Sequence, residues 1–158
     1  MSQMSEGSVW YQKEIAISAK KRGCHLITDD VLHQVPEIQR IKIGVANIHS
    51  MYTVQSFSKI KHTSASLCLN ENWDPDVRVD MEMMINKLIP ESTPFKHSCE
   101  GPDDMPAHVK AAFIGTGVSI PITNGNFNLG TWQGLWLCEH RNAAGKRNLV
   151  VTVNGSLR

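Results

Sequence analysis

Three of the seven histidines stand among polar and acidic residues, a setting in which an imidazole can bind a metal or transfer protons. These three are His62, His97 and His108. His97 lies three residues before Glu100, and His108 lies four residues after Asp104, so these four residues occupy one short stretch of chain. Imidazoles with a carboxylate are suitable ligands for a divalent transition metal, and they also act as general acids and bases.

The sequence therefore predicts a His-rich site at His62, His97 and His108 that binds a divalent metal, with zinc, manganese or magnesium as the candidates. The spacing matches no standard zinc signature such as H-E-x-x-H. The same histidines are also compatible with hydrogen-bonded surface or turn residues, and Asp104 with a plain helix N-cap. Composition and spacing alone leave both interpretations open.

A second set of residues suits an anionic ligand, and a phosphorylated small molecule is the expected partner. Thr63, Ser64 and Ser66 offer hydroxyl groups along one strand. Arg78 and Arg141 can form bidentate contacts with phosphate, and helix N-termini add backbone N–H donors. Each arginine taken alone is equally compatible with a surface ion pair. The hypothesis therefore depends on the residues acting in combination.

The strand predicted over Ser58–Leu69 would position several of these groups, because successive side chains of a strand point to opposite faces. One face suits a hydrophobic core and carries Thr63, Ala65, Leu67 and Leu69. The other face suits a site wall and carries His62, Ser64, Ser66 and Cys68.

Two helices are predicted after this strand. Asp74 and Pro75 form a strong helix start, and the helix should continue to Leu88 before Pro90. A single apolar stripe is expected at Val77, Met81, Met84, Ile85 and Leu88. The second helix should begin at Asp104 or Met105 and end near Gly115, with His108 in its first turns.

The remaining pattern is that of strands, predicted at Val9–Ala19, Cys24–Thr28, Ile41–Ile48, Val118–Ile122, Leu129–Cys138 and Leu149–Val153. Asn124-Gly125 indicates a hairpin turn between the strands on either side of it. Strands before and after two helices, without regular βαβ alternation, favour an α+β fold with mostly antiparallel pairing.

Length and charge narrow the class of protein. The 158 residues suit one domain spanning 1–158, with a flexible polar N-terminus over residues 1–8. A net charge of +1 gives no electrostatic footprint for nucleic acid. No apolar run is long enough for a membrane span or a signal peptide, so we expect a cytoplasmic protein with no membrane partner and with reduced cysteines. Among these, Cys99 beside His97 is a possible nucleophile.

Three segments together resemble the signature blocks of the YjbQ-like family. The first block is His62–Leu67, continuing through Asn70–Asn72 to Asp74–Arg78. The second is His97–His108, and the third is Leu129–Arg141. The blocks follow the order of the family, and the resemblance covers nearly the whole chain. Two departures are a longer segment before the His62 strand and Cys68 at a position where threonine is common.

The resemblance implies an α+β domain with two sheets packed in a sandwich-like core, assembled as a homotrimer. It also implies a weak secondary thiamine-phosphate-synthase activity, which joins a pyrimidine diphosphate to a thiazole phosphate and releases pyrophosphate. The family's motif positions correspond here to His62, His97, Glu100, Asp104, His108, Thr131, Gln133, Glu139 and Arg141. On this basis Glu139 joins the histidines, Glu100 and Asp104 as catalytic candidates, and Thr131 and Gln133 join the ligand-binding set. The alternatives are a non-catalytic binding module for a metal or a phosphorylated metabolite, and a metal-dependent hydrolase.

Overall fold

The computed structural model describes residues 7–50 and 63–158, which form eight strands and three α-helices. The strands are β1 (Val9–Ile17), β2 (Gly23–Leu26), β3 (Ile41–Ser50), β4 (Ala65–Glu71), β5 (Gly117–Thr123), β6 (Asn126–Phe127), β7 (Gln133–Glu139) and β8 (Arg147–Leu157). The helices are α1 (Thr28–Gln34), α2 (Pro75–Leu88) and α3 (Asp104–Ile114), with a 3-10 helix at Pro36–Arg40. His62 and the start of its predicted strand lie outside the described residues.

The strands form two antiparallel sheets. The larger sheet has the order β1-β8-β3-β5-β6, and the smaller sheet has the order β2-β7-β4. One hydrophobic core contains residues from both sheets, among them Ile48 and Val151 of the larger sheet and Leu67 and Leu137 of the smaller sheet. The two sheets therefore pack against each other, and the predicted α+β fold with a two-sheet core is confirmed.

The smaller sheet is covered on both faces. Leu135 and Leu137 of β7 point into the core between the sheets, whereas Trp136 and Cys138 point to the opposite face and pack against Val77 and Met81 of α2. The predicted core face of β4 is confirmed at Ala65 and Leu67. The opposite face, which was predicted to form a site wall, is covered by helices, and Ser64 and Ser66 on it are fully buried.

Helix α2 begins as the sequence predicts. Asp74 is the N-cap residue, its side chain accepts a hydrogen bond of 2.9 Å from the Asp76 N–H, and Pro75 occupies the first helical position. The predicted apolar stripe is only partly correct. Ile85 is buried, but Met84 and Leu88 are 48% and 68% exposed because the helix lies across the edge of a sheet that is only three strands wide. None of the described helices has the length and apolarity needed to cross a membrane.

The chain reverses direction at Asn124 and Gly125, which have φ angles of 50° and 81°. Both residue types tolerate this left-handed region, so the predicted turn is confirmed. The turn joins β5 to the two-residue strand β6, however, and not to β7. The chain then crosses to the smaller sheet, and β7 begins at Gln133, four residues later than the predicted start at Leu129.

Gly44 of β3 allows the close approach of β3 and β8. A Cβ atom at this position would lie 2.3 Å from the Asn154 carbonyl oxygen and 2.9 Å from the Gly155 Cα atom, both of which belong to the backbone. We expect Gly44→Ala to lower the free energy of unfolding by about 2 kcal/mol, because the strands must move apart. Urea denaturation measures this change. Gly145→Ala is the control, because no atom lies within 4 Å of its added Cβ, and equal losses in the two variants would contradict the expectation.

Candidate functional site

Two imidazoles converge on one carboxylate at the start of α3. Asp104 is the first residue of this helix and is fully buried, and His108 follows one turn later. His97, in the loop before the helix, places Nε2 2.9 Å from Asp104 Oδ2. His108 Nε2 lies 3.5 Å from the same oxygen. One ligand atom from each of the three residues lies within 4.8 Å of the others, which is close enough for a single metal ion.

The chain segment before β4 orients His108. Its Nδ1 atom lies 2.9 Å from Thr63 Oγ1 and 3.3 Å from the Thr63 carbonyl oxygen. A carbonyl oxygen can only accept a hydrogen bond, so this contact favours a proton on Nδ1. In the neutral ring, the Nε2 atom that faces Asp104 is then the nitrogen that carries the lone pair. Hydrogen bonding at one ring nitrogen is the usual way in which proteins orient the other one toward a metal.

Arg141 holds the acidic loop against the end of β7. Its guanidinium contacts Asp104 Oδ1, and its Nε donates to Asp103 Oδ2 at 3.1 Å. Its Nη2 donates to the Glu100 carbonyl oxygen at 2.8 Å, while Glu100 itself is exposed. Burial opposes ionisation of Asp103, but hydrogen bonds from the Asn142 backbone N–H and the nearby Arg141 cation outweigh it and lower the pKa of Asp103. Arg141 therefore fixes the orientation of Asp104 from the side opposite the histidines.

A second buried ion pair lies beside this loop. Glu139 is fully buried, and its two carboxylate oxygens accept hydrogen bonds of 2.6 Å each from Nε and Nη2 of Arg147. Arg147 Nη2 also donates to Ser64 Oγ at 3.2 Å, and the Arg141 N–H donates to Glu139 Oε1 at 3.0 Å. The pair thus connects β7, β8 and the segment before β4, and Glu139 links it to the backbone of Arg141.

Buried polar groups also occupy the face of the smaller sheet beneath the helices. His140 Nε2 lies 2.8 Å from Ser66 Oγ, and His140 is 1% exposed. Lys110 of α3 is fully buried and donates to Asn86 Oδ1 at 2.5 Å. Burial lowers the pKa of His140 to about 3, and the cationic side chains of Lys110, Arg147 and Arg22 act in the same direction. His140 is therefore neutral at physiological pH.

This neutral histidine should make stability depend on pH. The unfolded chain binds a proton at a histidine with a pKa of about 6.5, whereas the folded chain resists protonation down to about 3. Between these values the unfolded state binds more protons, so the free energy of unfolding falls as the pH falls below 6.5. We expect His140 to account for a loss of about 2 kcal/mol between pH 7 and pH 5.

Urea unfolding of the parent protein, His140→Gln and His33→Gln at pH 7 and pH 5 measures this contribution. His33 is exposed and serves as the matched control. The parent and His33→Gln should lose similar stability on acidification, and His140→Gln should lose less. An equal loss in all three proteins would show that His140 is not the cause.

The other proposed ligand-binding residues lie elsewhere. Thr131 and Gln133 line a 530 Å³ cavity with Trp132, at the opposite end of β7 from Glu139. The six-residue separation of Gln133 and Glu139 along the strand corresponds to roughly 20 Å. Arg78 is half-buried in α2, and its Nη1 atom has no hydrogen-bond partner among the described residues. The ligand-binding roles of these residues stay predictions, as do those of Ser64 and Ser66, whose hydroxyls contact Arg147 and His140.

A smaller cavity borders the imidazole of His108. It has a volume of 270 Å³ and is lined by Thr63, His108, Ala111, Ala112, Gly115 and Thr116. Its size suits a small polar group and falls just below the usual range for sites that enclose drug-sized ligands. Of the predicted residues, Thr63 and His108 line this cavity, and His108 also contacts Asp104 in the cluster with His97.

Four residues that organise this region were not identified from the sequence. These residues are Asp103, Lys110, His140 and Arg147. The sequence shows that such a residue is charged or polar, but it does not show which buried group the residue contacts, because most of these partners come from distant parts of the chain. For His140 alone the sequence offers a signal. It lies two residues after Cys138, so the two side chains point to the same face of β7 and its continuation.

Comparisons with known proteins agree with this fold. A family profile described as "UPF0047 protein YjbQ-like" matches residues 13–156. The UPF0047 protein YjbQ of Escherichia coli O157:H7 is 43% identical over 147 residues, which are 93% of this chain and 99% of that protein. A UPF0047 protein of Synechocystis sp. is 48% identical over 148 residues, which are 93% of each chain.

The structural comparison gives the same result. The crystal structure of an uncharacterized conserved protein of the YjbQ/UPF0047 family from Clostridium acetobutylicum has a TM-score of 0.71 and 31% sequence identity. The match covers 87% of this chain and 97% of that one. The chain therefore belongs to the YjbQ-like family, UPF0047.

Proposed function

We propose that His97, Asp104 and His108 bind a divalent metal, and that the protein is an enzyme that acts on a phosphorylated small molecule. The observation that carries this proposal is the convergence of two imidazole nitrogens on the single oxygen Asp104 Oδ2, at 2.9 and 3.5 Å. His62, which the sequence adds to this set, lies outside the described residues.

The spacing of the three groups suits zinc. Zinc binds histidine nitrogen at about 2.0–2.1 Å and carboxylate oxygen at about 2.0–2.2 Å, so two ligands in a tetrahedral site are separated by roughly 3.3 Å. The nitrogen-to-oxygen distances of 2.9 and 3.5 Å lie on either side of this value. Two imidazoles with one carboxylate favour zinc over magnesium, which prefers oxygen ligands, and manganese is the second candidate.

Electrostatics at His108 also favours a cation between these groups. When Nδ1 carries the proton, the lone pair on Nε2 faces the carboxylate oxygen of Asp104 across 3.5 Å. Two electron-rich atoms in this arrangement repel each other unless a proton or a metal lies between them. Arg141 fixes the carboxylate and Thr63 fixes the ring, so neither group turns away without breaking its own contacts.

The neighbouring 270 Å³ cavity supports a phosphorylated ligand. Thr63 and Thr116 line it together with His108, so a phosphoryl oxygen in the cavity would lie beside one of the three proposed metal ligands. A bound metal would act as a Lewis acid toward that oxygen, and an adjacent hydroxyl would orient the group by hydrogen bonding. The resemblance to the family adds thiamine-phosphate-synthase-like transfer as the first reaction to test.

The test measures transferase turnover, hydrolysis of a phosphate ester, and binding of metal and phosphate. The protein is incubated with zinc, manganese or magnesium, a pyrimidine diphosphate and a thiazole phosphate, and pyrophosphate release is measured with both substrates and with each alone. Release that requires both substrates supports the transferase, and phosphate release from a single phosphate ester supports a metal-dependent hydrolase. Metal and phosphate binding with no turnover of any substrate would overturn the enzyme proposal and leave a binding module.

We also propose that the chain works in the cytoplasm as a homotrimer, as the resemblance implies. Among the described residues, the strands at sheet edges are β1, β2, β4 and β6, and symmetric assembly is one way to cover such edges. Trp10 on β1 is 69% exposed, as expected of a side chain that a partner could cover. Light scattering at micromolar concentration should give the mass of three chains, whereas the mass of one chain would contradict the assembly.

A further inference from the structure

Three cysteines meet on the covered face of the smaller sheet, away from the histidine site. Cys138 lies on the central strand β7, and its Sγ atom is 3.3 Å from Cys24 Sγ on β2 and 3.9 Å from Cys68 Sγ on β4. Trp136 and Met81 pack against the three thiols. All three are reduced, although the two sulfurs at 3.3 Å are already closer than an ordinary apolar contact.

The strand register places Cys24 and Cys138 directly opposite each other. The Ile27 N–H donates to the Leu135 carbonyl oxygen at 2.9 Å, so this pair is of the hydrogen-bonded type. Pair types alternate along an antiparallel ladder, so Cys24 and Cys138, three positions away, form a non-hydrogen-bonded pair with Cα atoms about 4.5 Å apart. Disulfides usually span about 4.4–6.8 Å between Cα atoms, so rotation of the side chains can close this one.

Cys68 is related to Cys138 differently. Ser66 lies opposite Cys138, so Cys68 is the diagonal neighbour two residues further along β4. Diagonal neighbours have Cα atoms about 7–8 Å apart, beyond the usual disulfide range. A bond between Cys68 and Cys138 would therefore be strained. Cys24 lies on the other side of Cys138 and can displace Cys68 from that bond.

Access also differs among the three thiols. Cys138 is 1% exposed and Cys24 is 8% exposed, whereas Cys68 is half-buried and can be reached from solvent. The hydrogen bond from the Cys138 thiol lowers the pKa of Cys68, although burial opposes this effect. The hydrogen bonds with Cys24 and Cys68, together with burial, raise the pKa of Cys138. Cys68 is therefore the thiol that reacts first as a thiolate.

We propose that Cys68, Cys138 and Cys24 form a thiol relay, in which hydrogen peroxide reacts at Cys68 and the oxidation is stored as a buried Cys24–Cys138 disulfide. In the first step the Cys68 thiolate attacks peroxide, which breaks the O–O bond and gives a sulfenic acid and hydroxide. The Cys138 sulfur, losing its proton, then attacks the Cys68 sulfur and displaces hydroxide, which leaves as water.

The last step is a thiol–disulfide exchange. Cys24, losing its proton, attacks the Cys138 sulfur and displaces the Cys68 thiolate, which is reprotonated or reacts again. The balance is two thiols and one hydrogen peroxide converted to one disulfide and two water molecules. Cys68 is thus the residue that peroxide oxidises, and it returns to the thiol. The final product is the disulfide between the directly opposed Cys24 and Cys138.

The experiment uses the full chain in a Cys99→Ser background, because Cys99 is exposed and would react independently. The folded protein is treated with hydrogen peroxide, the remaining thiols are blocked, and tryptic peptides are analysed by mass spectrometry. Trypsin places the three cysteines in separate peptides, which are residues 23–40, 62–78 and 111–141. We expect two thiols lost per chain and one cross-linked species that joins the Cys24 and Cys138 peptides.

Two variants in the same background test the order of events. Cys68→Ser should slow formation of the disulfide at least tenfold, and Cys68→Ala provides the same test if the serine variant does not fold. Cys24→Ser should leave the oxidation on Cys68, as a sulfenic acid that dimedone captures or as a Cys68–Cys138 disulfide. Thiols that stay reduced in the folded parent, or an unchanged rate without Cys68, would overturn the relay.

Discussion

Asp104→Asn is expected to weaken zinc binding by at least about 100-fold, the largest loss of metal affinity predicted for any single substitution in this site. Its carboxylate oxygen is the atom on which both imidazoles converge, and a neutral amide oxygen is a much poorer zinc ligand than a carboxylate. Competition with a chromophoric chelator at constant pH measures the affinity, and circular dichroism confirms that the variant is folded.

Asp103→Asn is the matched control for this substitution. Asp103 and Asp104 are adjacent, and both contact the guanidinium of Arg141, but only Asp104 contacts the imidazoles. Asp103→Asn should therefore destabilise the loop without removing a metal ligand. If both variants lose zinc to the same extent, the effect comes from loss of loop structure and not from loss of a ligand. If Asp104→Asn binds zinc as tightly as the parent, the proposed ligand set is wrong.

Arg147→Met is expected to lower the free energy of unfolding by roughly 3–5 kcal/mol, the largest loss of stability predicted here. The substitution removes the cation whose two nitrogens bind Glu139 and leaves that fully buried carboxylate without its main partner. Methionine fills much of the same volume, so the decrease in the free energy of unfolding comes from the unpaired charge more than from a cavity. Urea denaturation at pH 7 measures the change.

The double substitution Glu139→Gln with Arg147→Met distinguishes charge from packing. When both charged groups are absent, no buried carboxylate remains unpaired, and most of the lost stability should return. Arg40→Met is a surface control and should change stability by no more than about 0.5 kcal/mol. A double variant as unstable as Arg147→Met alone would show that the ion pair is not the source of the loss.

The parts of this fold that the sequence predicts are those set by local chemistry. Asp74 and Pro75 define the start of α2 because an N-cap carboxylate and a proline act within one turn of helix. The alternation of Ala65 and Leu67 identifies the core face of β4 because a strand has a period of two. His97, Asp104 and His108 are close together in the chain, which is why their clustering could be expected.

The remainder depends on contacts between distant segments. Ser64 and Ser66 are polar, and nothing local indicates that α2 and α3 cover them or that Arg147 and His140 bind their hydroxyls. The phosphate contact expected of Arg141 stays a prediction, and nothing local indicates that its guanidinium contacts Asp103 and Asp104, which lie 38 and 37 residues earlier in the chain. A sequence shows that such a residue is charged but not which buried partner it meets.

Strand length explains the separation of the predicted ligand-binding residues. Gln133 and Glu139 were both assigned to the site from the family's motif positions, and they share a parity, but parity gives a face and not a position along the strand. Six residues of extended chain cover roughly 20 Å, so residues at the two ends of β7 cannot contact one small ligand within one chain. The 530 Å³ cavity at Thr131 and Gln133 is therefore a separate feature of the chain.

The most direct test of the metal proposal is X-ray diffraction from a crystal soaked in zinc, with data collected on both sides of the zinc absorption edge. The proposal predicts an anomalous peak between His97 Nε2, His108 Nε2 and Asp104 Oδ2, about 2.0–2.2 Å from each atom. A crystal that takes up zinc elsewhere, or shows no peak among these three atoms at saturating zinc, would contradict the proposed metal site.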